Sequence, residues 1–583
     1  MLNTKSQCVY IPCFLNSTIR TKTYFSMKCE LNSPIYLLMS VILLTAMPFV
    51  LLHFIYGSAV TDDAQLTIST GSLKGKVVTF RGIKVYQFLG IPFAEPPIGD
   101  LRFKKPLPVK SWNKLLNVDR WGPHCPQINF QWSEDCLYLN VFTSFSALNV
   151  AKNIESTNQS RSVMVWFYGG AFISGSANMP DLYDGTMLAA LNDVIIVTVN
   201  YRIGPLGFLY LPEYGIPGNM GLWDQQLALQ WVQDNIQYFD GDPGKVTIFG
   251  ESAGSRSVSA HMVSPQLVGL FNKAIMQSGV LSDSNNTLTR HASSLVFLDK
   301  LNCSQSTATD VQSCLAAYKF GVVSEADSVS VGVVVGDEFI PDSIETAISK
   351  QKLDPNINIL LGTVGYEGAF SLASTIDPQM FDPINPLNLT ALDVRNILRK
   401  WFKQFSTDSL MQIYFADVDP NDSDKLRQIL SKAVGDVQIA CPAYSLGRKL
   451  VKDNKQSAVY AYYQSQKSIT KPIYLFPSGS TWFPATHTND LPFVFGYPFA
   501  VNETYDKEEV ILSSIMMQTW TNFAKHGKPG FIGQTEWKSW SQGDSGSFQY
   551  PTMELNSINM GNIETTPVDF CFTNWPFPAY DDS

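Results

Sequence analysis

Residues 245–254 read KVTIFGESAG. An apolar, β-branched run leads into Gly250-Glu251-Ser252-Ala253-Gly254, and a helical pattern over Ala253–Met262 follows. A serine between two glycines at a strand-to-helix junction sits on a sharp turn that lifts its hydroxyl clear of the strand end. The helix opening behind it offers a backbone N–H, that of Ala253, to a developing oxyanion. Chance supplies the bare G-x-S-x-G pattern in roughly one chain in five of this size, so the flanking strand and helix carry the argument. The bland alternative is a serine at an ordinary turn.

On either side of this run, Val163–Tyr168, Val194–Asn200, Lys273–Gln277, Ile357–Val364 and Ala458–Tyr463 are further short apolar stretches. Their hydrophobicity is continuous rather than alternating, as expected of strands covered on both faces. Asp224–Tyr238 has helical spacing, with Leu229, Val232 and Ile236 on one face. Strands alternating with helices predict an α/β fold with a mostly parallel central sheet flanked by helices, and with its chemistry at the carboxyl ends of the strands.

A serine hydroxyl needs a base. The chain has six histidines. His53 lies in an apolar segment and His124 precedes the serine, whereas this architecture orders its triad serine, acid, histidine. His261 falls on the helix that follows Ser252, His291 lies in a polar stretch soon after, and His526 resembles a helix-end cap. By elimination, His487 in PATHTNDLPFVFG is the candidate base. The orienting acid should follow a strand between the two. In INILLGTVGYEG (357–368) that position belongs to Glu367, and the alternative is a surface glutamate in a turn. Gly169-Gly170-Ala171-Phe172, after the strand at 163–168, offers further backbone donors for an oxyanion, or else is only a turn.

Composition bounds the rest. The chain has 583 residues, 45% of them hydrophobic and 16% charged, enough for a large core and unlike a disordered chain. A net charge of −9 argues against an electrostatic nucleic-acid binder. Nothing repeats at a solenoid or propeller period. No CxxC or Cys/His cluster suggests a metal, and the chemistry above needs no cofactor.

Ile35–Tyr56, IYLLMSVILLTAMPFVLLHFIY, carries no fixed charge and as a helix would span roughly 33 Å. Lys5, Arg20, Lys22 and Lys28 precede it against Glu30 alone, which keeps residues 1–34 cytoplasmic and exports the rest. An uncleaved anchor within 35–59 is the expectation. A signal peptide cut near Gly57-Ser58-Ala59 is its rival, and both export residues 61–583 into the secretory pathway. Six cysteines lie in the exported part: Cys125, Cys136, Cys303, Cys314, Cys441 and Cys571. Two separations of 11 suggest local loops, but six cysteines allow 15 pairings and spacing alone does not choose. N-x-S/T sites stand at Asn16, Asn158, Asn285, Asn302, Asn388, Asn421 and Asn502, a weak sign of glycosylation.

Several long segments together resemble the type-B carboxylesterase/cholinesterase family of α/β-hydrolases. They are FLGIPFAEPPIGDLRF (88–103), SEDCLYLNVF (133–142), VWFYGGAFISGSA (165–177), VNYRIGPLGF (199–208) and 218–254, and the likeness runs from about Leu66 to Pro578. The resemblance implies an ester hydrolase with Ser252, Glu367 and His487 as triad and Gly170, Ala171 and Ala253 as oxyanion donors. It also implies Glu251 and Ser278 as polar partners behind them. By the same likeness, Cys125 pairs with Cys136, Cys303 with Cys314 and Cys441 with Cys571, while Arg102–Glu134 and Arg202–Asp224 form salt bridges. The chain departs from the family at Ala171, in place of a third loop glycine, and at a short Cys125–Cys136 loop without the tryptophan that cholinesterases use to hold a quaternary ammonium. Trp132 stands too near Cys136 for that role. Phe370 matches a choline-pocket aromatic, but Ser371 replaces the next one. The expected activity is therefore general carboxylesterase, acting on small-molecule esters. A cholinesterase is the runner-up, and a catalytically silent adhesion protein is the reading from another class.

Overall fold

Eleven strands make the central sheet: β1 (Lys76–Phe80), β2 (Ile83–Pro92), β3 (Tyr138–Thr143), β4 (Arg161–Phe167), β5 (Ile195–Val199), β6 (Gly241–Glu251), β7 (Lys273–Gln277), β8 (Asn358–Val364), β9 (Val459–Gln464), β10 (Thr552–Leu555) and β11 (Gly561–Ile563). In this computed structural model the described residues are 64–572, apart from 129, 145–159, 282–285, 305–306, 319–331, 404, 454–456, 467–481, 483–484, 502–503, 544–546, 558–560 and 564–569. Across the sheet the order is β11-β10-β9-β8-β7-β6-β4-β5-β3-β2-β1. The run from β10 to β5 is parallel throughout, and antiparallel neighbours close both edges. The parallel centre is where continuous apolar runs belong, and every residue of β5 and β7 is buried.

Helices α1 (Met220–Asn235), α2 (Ala253–Val263), α3 (Ser423–Gly435), α4 (Cys441–Asp453) and α5 (Lys507–His526) matter most for the site. Helix α2 packs on β6 and β7, and α5 on β4 and β6. The predicted helix at Asp224–Tyr238 begins four residues earlier and ends in a 3-10 turn, Ile236–Phe239. Its early start includes Gly221, where a Cβ would come within 2.4 Å of the Arg202 carbonyl. A glycine that reads as a helix breaker is therefore a contact requirement. A second, smaller apolar cluster, with Leu372, Phe381, Leu398, Leu430 and Trp482, lies apart from the main one.

The three disulfides pair as the family resemblance implies, Cys125–Cys136, Cys303–Cys314 and Cys441–Cys571. Arg102 pairs with Glu134, its Nε donating to Oε2 at 2.7 Å. Arg202 and Asp224 form a two-bonded pair at 2.8 and 2.7 Å, and Asp224 also accepts from the Arg202 backbone N–H. Their side chains are only 2% and 0% exposed. Removing one member strands a buried charge, so Asp224→Ala is expected to cost about 3–5 kcal/mol. Urea denaturation with disulfides intact measures this, and a loss under about 1 kcal/mol would mean that Arg202 finds another partner.

Among the described residues no helix is long and apolar enough to cross a membrane. The leader 1–34 and the apolar segment 35–59 lie outside them, as do Asn16, Asn158, Asn285 and Asn502. Asn302, Asn388 and Asn421 are exposed.

Candidate active site

Strand β6 ends at Glu251, helix α2 begins at Ala253, and Ser252 between them has φ 56° and ψ −118°. A non-glycine residue there stores about 1–3 kcal/mol of strain, which the surroundings must hold. They do so by contact. The Ser252 N–H donates to the Gln277 carbonyl at 2.9 Å. A Cβ at Gly254 would lie 1.9 Å from the Phe167 carbonyl, and one at Gly250 would lie 2.5 Å from Gly254. Only glycine lets this turn close and seat itself against β4.

The loop after β4 carries three successive left-handed residues, Gly170, Ala171 and Phe172, with φ of 113°, 55° and 63°. The Gly170 carbonyl turns into the loop, accepting the N–H groups of Ile173 and Ser174, each at 3.0 Å. In a trans peptide the next N–H, that of Ala171, points the opposite way, out of the loop. The N–H groups of Gly170, Ala171 and Ala253 have no hydrogen-bond partner among the described residues.

Glu367 and His487 are 120 positions apart and meet because their loops run side by side. Tyr366 pairs with Thr486 in a short parallel bridge, the Tyr366 N–H donates to the Ala485 carbonyl, and Thr486 Oγ1 donates to the Tyr366 carbonyl. Glu367 Oε1 accepts the Val364 N–H, and Oε2 lies 2.7 Å from His487 Nδ1. On the other side of the ring Nε2 lies 3.2 Å from Glu251 Oε1. The imidazole therefore reaches the serine turn at the residue next to Ser252. The structure joins Glu367 and His487 directly, and links Ser252 to them only through its neighbour Glu251.

Carboxylates crowd this histidine. Burial pushes its pKa down, but Glu251, then Glu367 and Asp490, outweigh that and raise it to about 9. Burial raises Glu251 to about 8 against the pull of His487, and raises Asp490 to about 6. Protonating Glu251 removes the charge that most lifts His487, so the titrations of the two groups are linked.

Ser278, the other polar partner that the resemblance implies, has φ 56° and donates its N–H to the Gly362 carbonyl. Its hydroxyl is buried without a hydrogen-bond partner among the described residues, as is Asp490 Oδ1. Sequence reasoning missed Asp490. It accepts from Gln277 Nε2 at 2.7 Å and Tyr462 OH at 3.2 Å, and its only signal was an acid three positions after His487. Phe370 lies with its ring centroid 6.0 Å from that of His487.

The other described histidines are engaged elsewhere. His261 is buried on α2 at 2.6 Å from Gln225, and burial pushes its pKa down to about 3. His291 pairs with Glu213 at 2.8 Å. His124 rests against Phe130, and His526 ends α5 before Gly527. His53 lies outside the described residues. Among the described residues no group of histidine, cysteine and acid side chains is arranged to hold a metal.

The model of the carboxylesterase family matches residues 62–570. The chain is 33% identical to an acetylcholinesterase 4 of Caenorhabditis briggsae, over 82% of this chain and 83% of that protein. It is 34% identical to a cholinesterase of Mus musculus, over 84% and 82%. With an acetylcholinesterase of Bungarus fasciatus the figures are 35%, 80% and 79%.

Proposed function

This chain belongs to the carboxylesterase family, and from that premise we propose that it is a serine carboxylic-ester hydrolase working through Ser252, His487 and Glu367. The observation that supports this best is the buried imidazole held at 2.7 Å by Glu367 with its other nitrogen beside the Ser252 turn. In the proposed reaction Nε2 leaves Glu251 for the adjacent serine hydroxyl and takes its proton as Oγ attacks the ester carbonyl. The carbonyl oxygen becomes an oxyanion facing the N–H groups of Gly170, Ala171 and Ala253. His487 returns the proton to the departing alcohol, and water then releases the acid from the acyl-enzyme by the same steps. Ala171 serves through its backbone, while its methyl narrows the acyl side.

A general carboxylesterase fits better than an enzyme for choline esters. The Cys125–Cys136 loop holds ten residues, and its single tryptophan, Trp132, is partly buried against the main apolar core. The cholinesterase reading rests on the names of the three relatives and on Phe370 beside the histidine. Turnover of short, medium and long p-nitrophenyl esters, beside acetyl- and butyrylthiocholine, separates the two. Simple esters are expected to be hydrolysed at least as well as choline esters. Folded protein with no Ser252-dependent turnover of any ester would favour the adhesion-protein reading. Export fits three disulfides and exposed sequons, either on an anchor at 35–56 or after cleavage near 57–59.

Because His487 must lose its proton to act as base, the rate should rise with pH. Glu251→Gln removes the negative charge that most raises the imidazole, so the midpoint of that rise is expected to move to lower pH by about one unit. A pH profile of kcat/KM reads this directly, and an unchanged or higher midpoint would rule out the proposed coupling.

A further inference from the structure

The Cys125–Cys136 loop carries Gln127, a buried amide. Its Oε1 accepts the Gly175 N–H at 2.9 Å, and its Nε2 donates to the Gly175 carbonyl at 2.8 Å and to the Cys125 carbonyl at 3.1 Å. The side chain thus pairs with both backbone groups of one residue, as a neighbouring strand would, and its second donor ties it to its own disulfide. Gly175 closes the glycine-rich loop. It has φ 103°, and a Cβ there would meet the Gly169 carbonyl at 2.5 Å and the Tyr168 ring at 2.7 Å. The next two residues are held from the same side: Asn200 Oδ1 accepts from Ser176 Oγ and the Ala177 N–H, while its amide nitrogen donates to the carbonyls of Pro123 and Cys136. Three consecutive residues at the exit of the loop are thereby fastened by two amides to the disulfide region.

Between the fixed entry at β4 and this fixed exit, Gly170 and Ala171 keep their unusual backbone angles with no side chain of their own to lock them. We infer that Gln127 is a positioning residue for the ester hydrolysis proposed above: through Gly175 it holds the 170–171 N–H groups aimed at the carbonyl oxygen of the substrate. This rests on the Ser252 reading. It predicts an effect on the transition state rather than on substrate binding, because the oxyanion forms only after attack.

Gln127→Met keeps the side-chain volume and removes all three hydrogen bonds. Its kcat on a p-nitrophenyl ester, per site titrated with an organophosphate, is expected to fall about 10- to 100-fold with KM changed less than about threefold. Affinity for an aryl trifluoromethyl ketone should fall by the same factor as kcat. Ser252 Oγ adds to the carbonyl carbon of that probe, the serine proton passes to His487, and the carbonyl oxygen becomes the oxyanion. A purely structural role would lower the melting temperature and the yield but leave kcat per titrated site intact. If Gln127→Met is not secreted, Gln127→Glu is measured the same way. It keeps an acceptor for the Gly175 N–H but turns a carboxylate oxygen on two carbonyls, and a fall in kcat of more than about threefold is expected. Wild-type kcat and ketone affinity in the secreted variant overturn the inference while Ser252→Ala remains inactive. Activity in Ser252→Ala would overturn the reading beneath it instead.

Discussion

Ser252→Ala is expected to lower kcat on a p-nitrophenyl ester by about 10⁵- to 10⁶-fold, because the reaction then has no atom to form the acyl-enzyme. What remains would come from the oriented N–H groups and binding alone, roughly 10³-fold above water. The fold should be untouched. The turn is made by the glycines at 250 and 254 and by the Ser252 N–H, and alanine keeps all three. Alanine suits φ 56° no better than serine does, so the melting temperature should move little. The measurement is a burst-free progress curve at high enzyme concentration, beside a melting curve on the same sample. Residual activity within a hundredfold of wild type would remove Ser252 from the mechanism.

Glu367→Gln is the second large effect, expected to lower kcat by about 10⁴-fold. The carboxylate does two things here. It accepts the Val364 N–H through Oε1, which a glutamine carbonyl can copy, and it faces His487 Nδ1 through Oε2, where glutamine presents an N–H₂ group instead. An amide donor at that place favours the imidazole tautomer with its proton on Nε2, which cannot take one from serine. Glu251 gives the wrong tautomer a partner, since its Oε1 lies 3.2 Å from that nitrogen and would accept the proton's hydrogen bond. The loss should therefore be in kcat, with KM close to wild type, and should persist across the pH range. A deficit under tenfold would point to Glu251 as the orienting acid, and Glu251→Gln in the same background tests that directly.

How far the chain could be read from its sequence differs by element. The parallel centre was legible because burial on both faces leaves unbroken apolar runs, and β7 matches its predicted bounds, Lys273–Gln277. Strand β6 runs back to Gly241 through Asp242, Pro243 and Gly244, where no apolar signal exists and the pairing with β4 shifts register. Ser252 stood out from its local pattern and Glu367 from the strand before it, whereas His487 came only by elimination. Asp490 and Gln127 were not legible. Each is an ordinary polar residue in a short loop, given meaning by a partner 213 or 48 positions away. Contacts of that span follow from the fold, and no local pattern announces them.

The Cys441–Cys571 bridge joins cysteines 130 positions apart, from helix α4 past β10 and β11, and His487 lies inside that circuit. A protease that cuts once anywhere between 442 and 570 therefore makes two chains but not two molecules. Without a reductant the clipped protein keeps its mass and migrates as a single band. The imidazole stays tethered to the body that bears the serine, whichever side of it the cut falls. Age or digestion would show only after thiol treatment, as a fragment released from the carboxyl-terminal quarter.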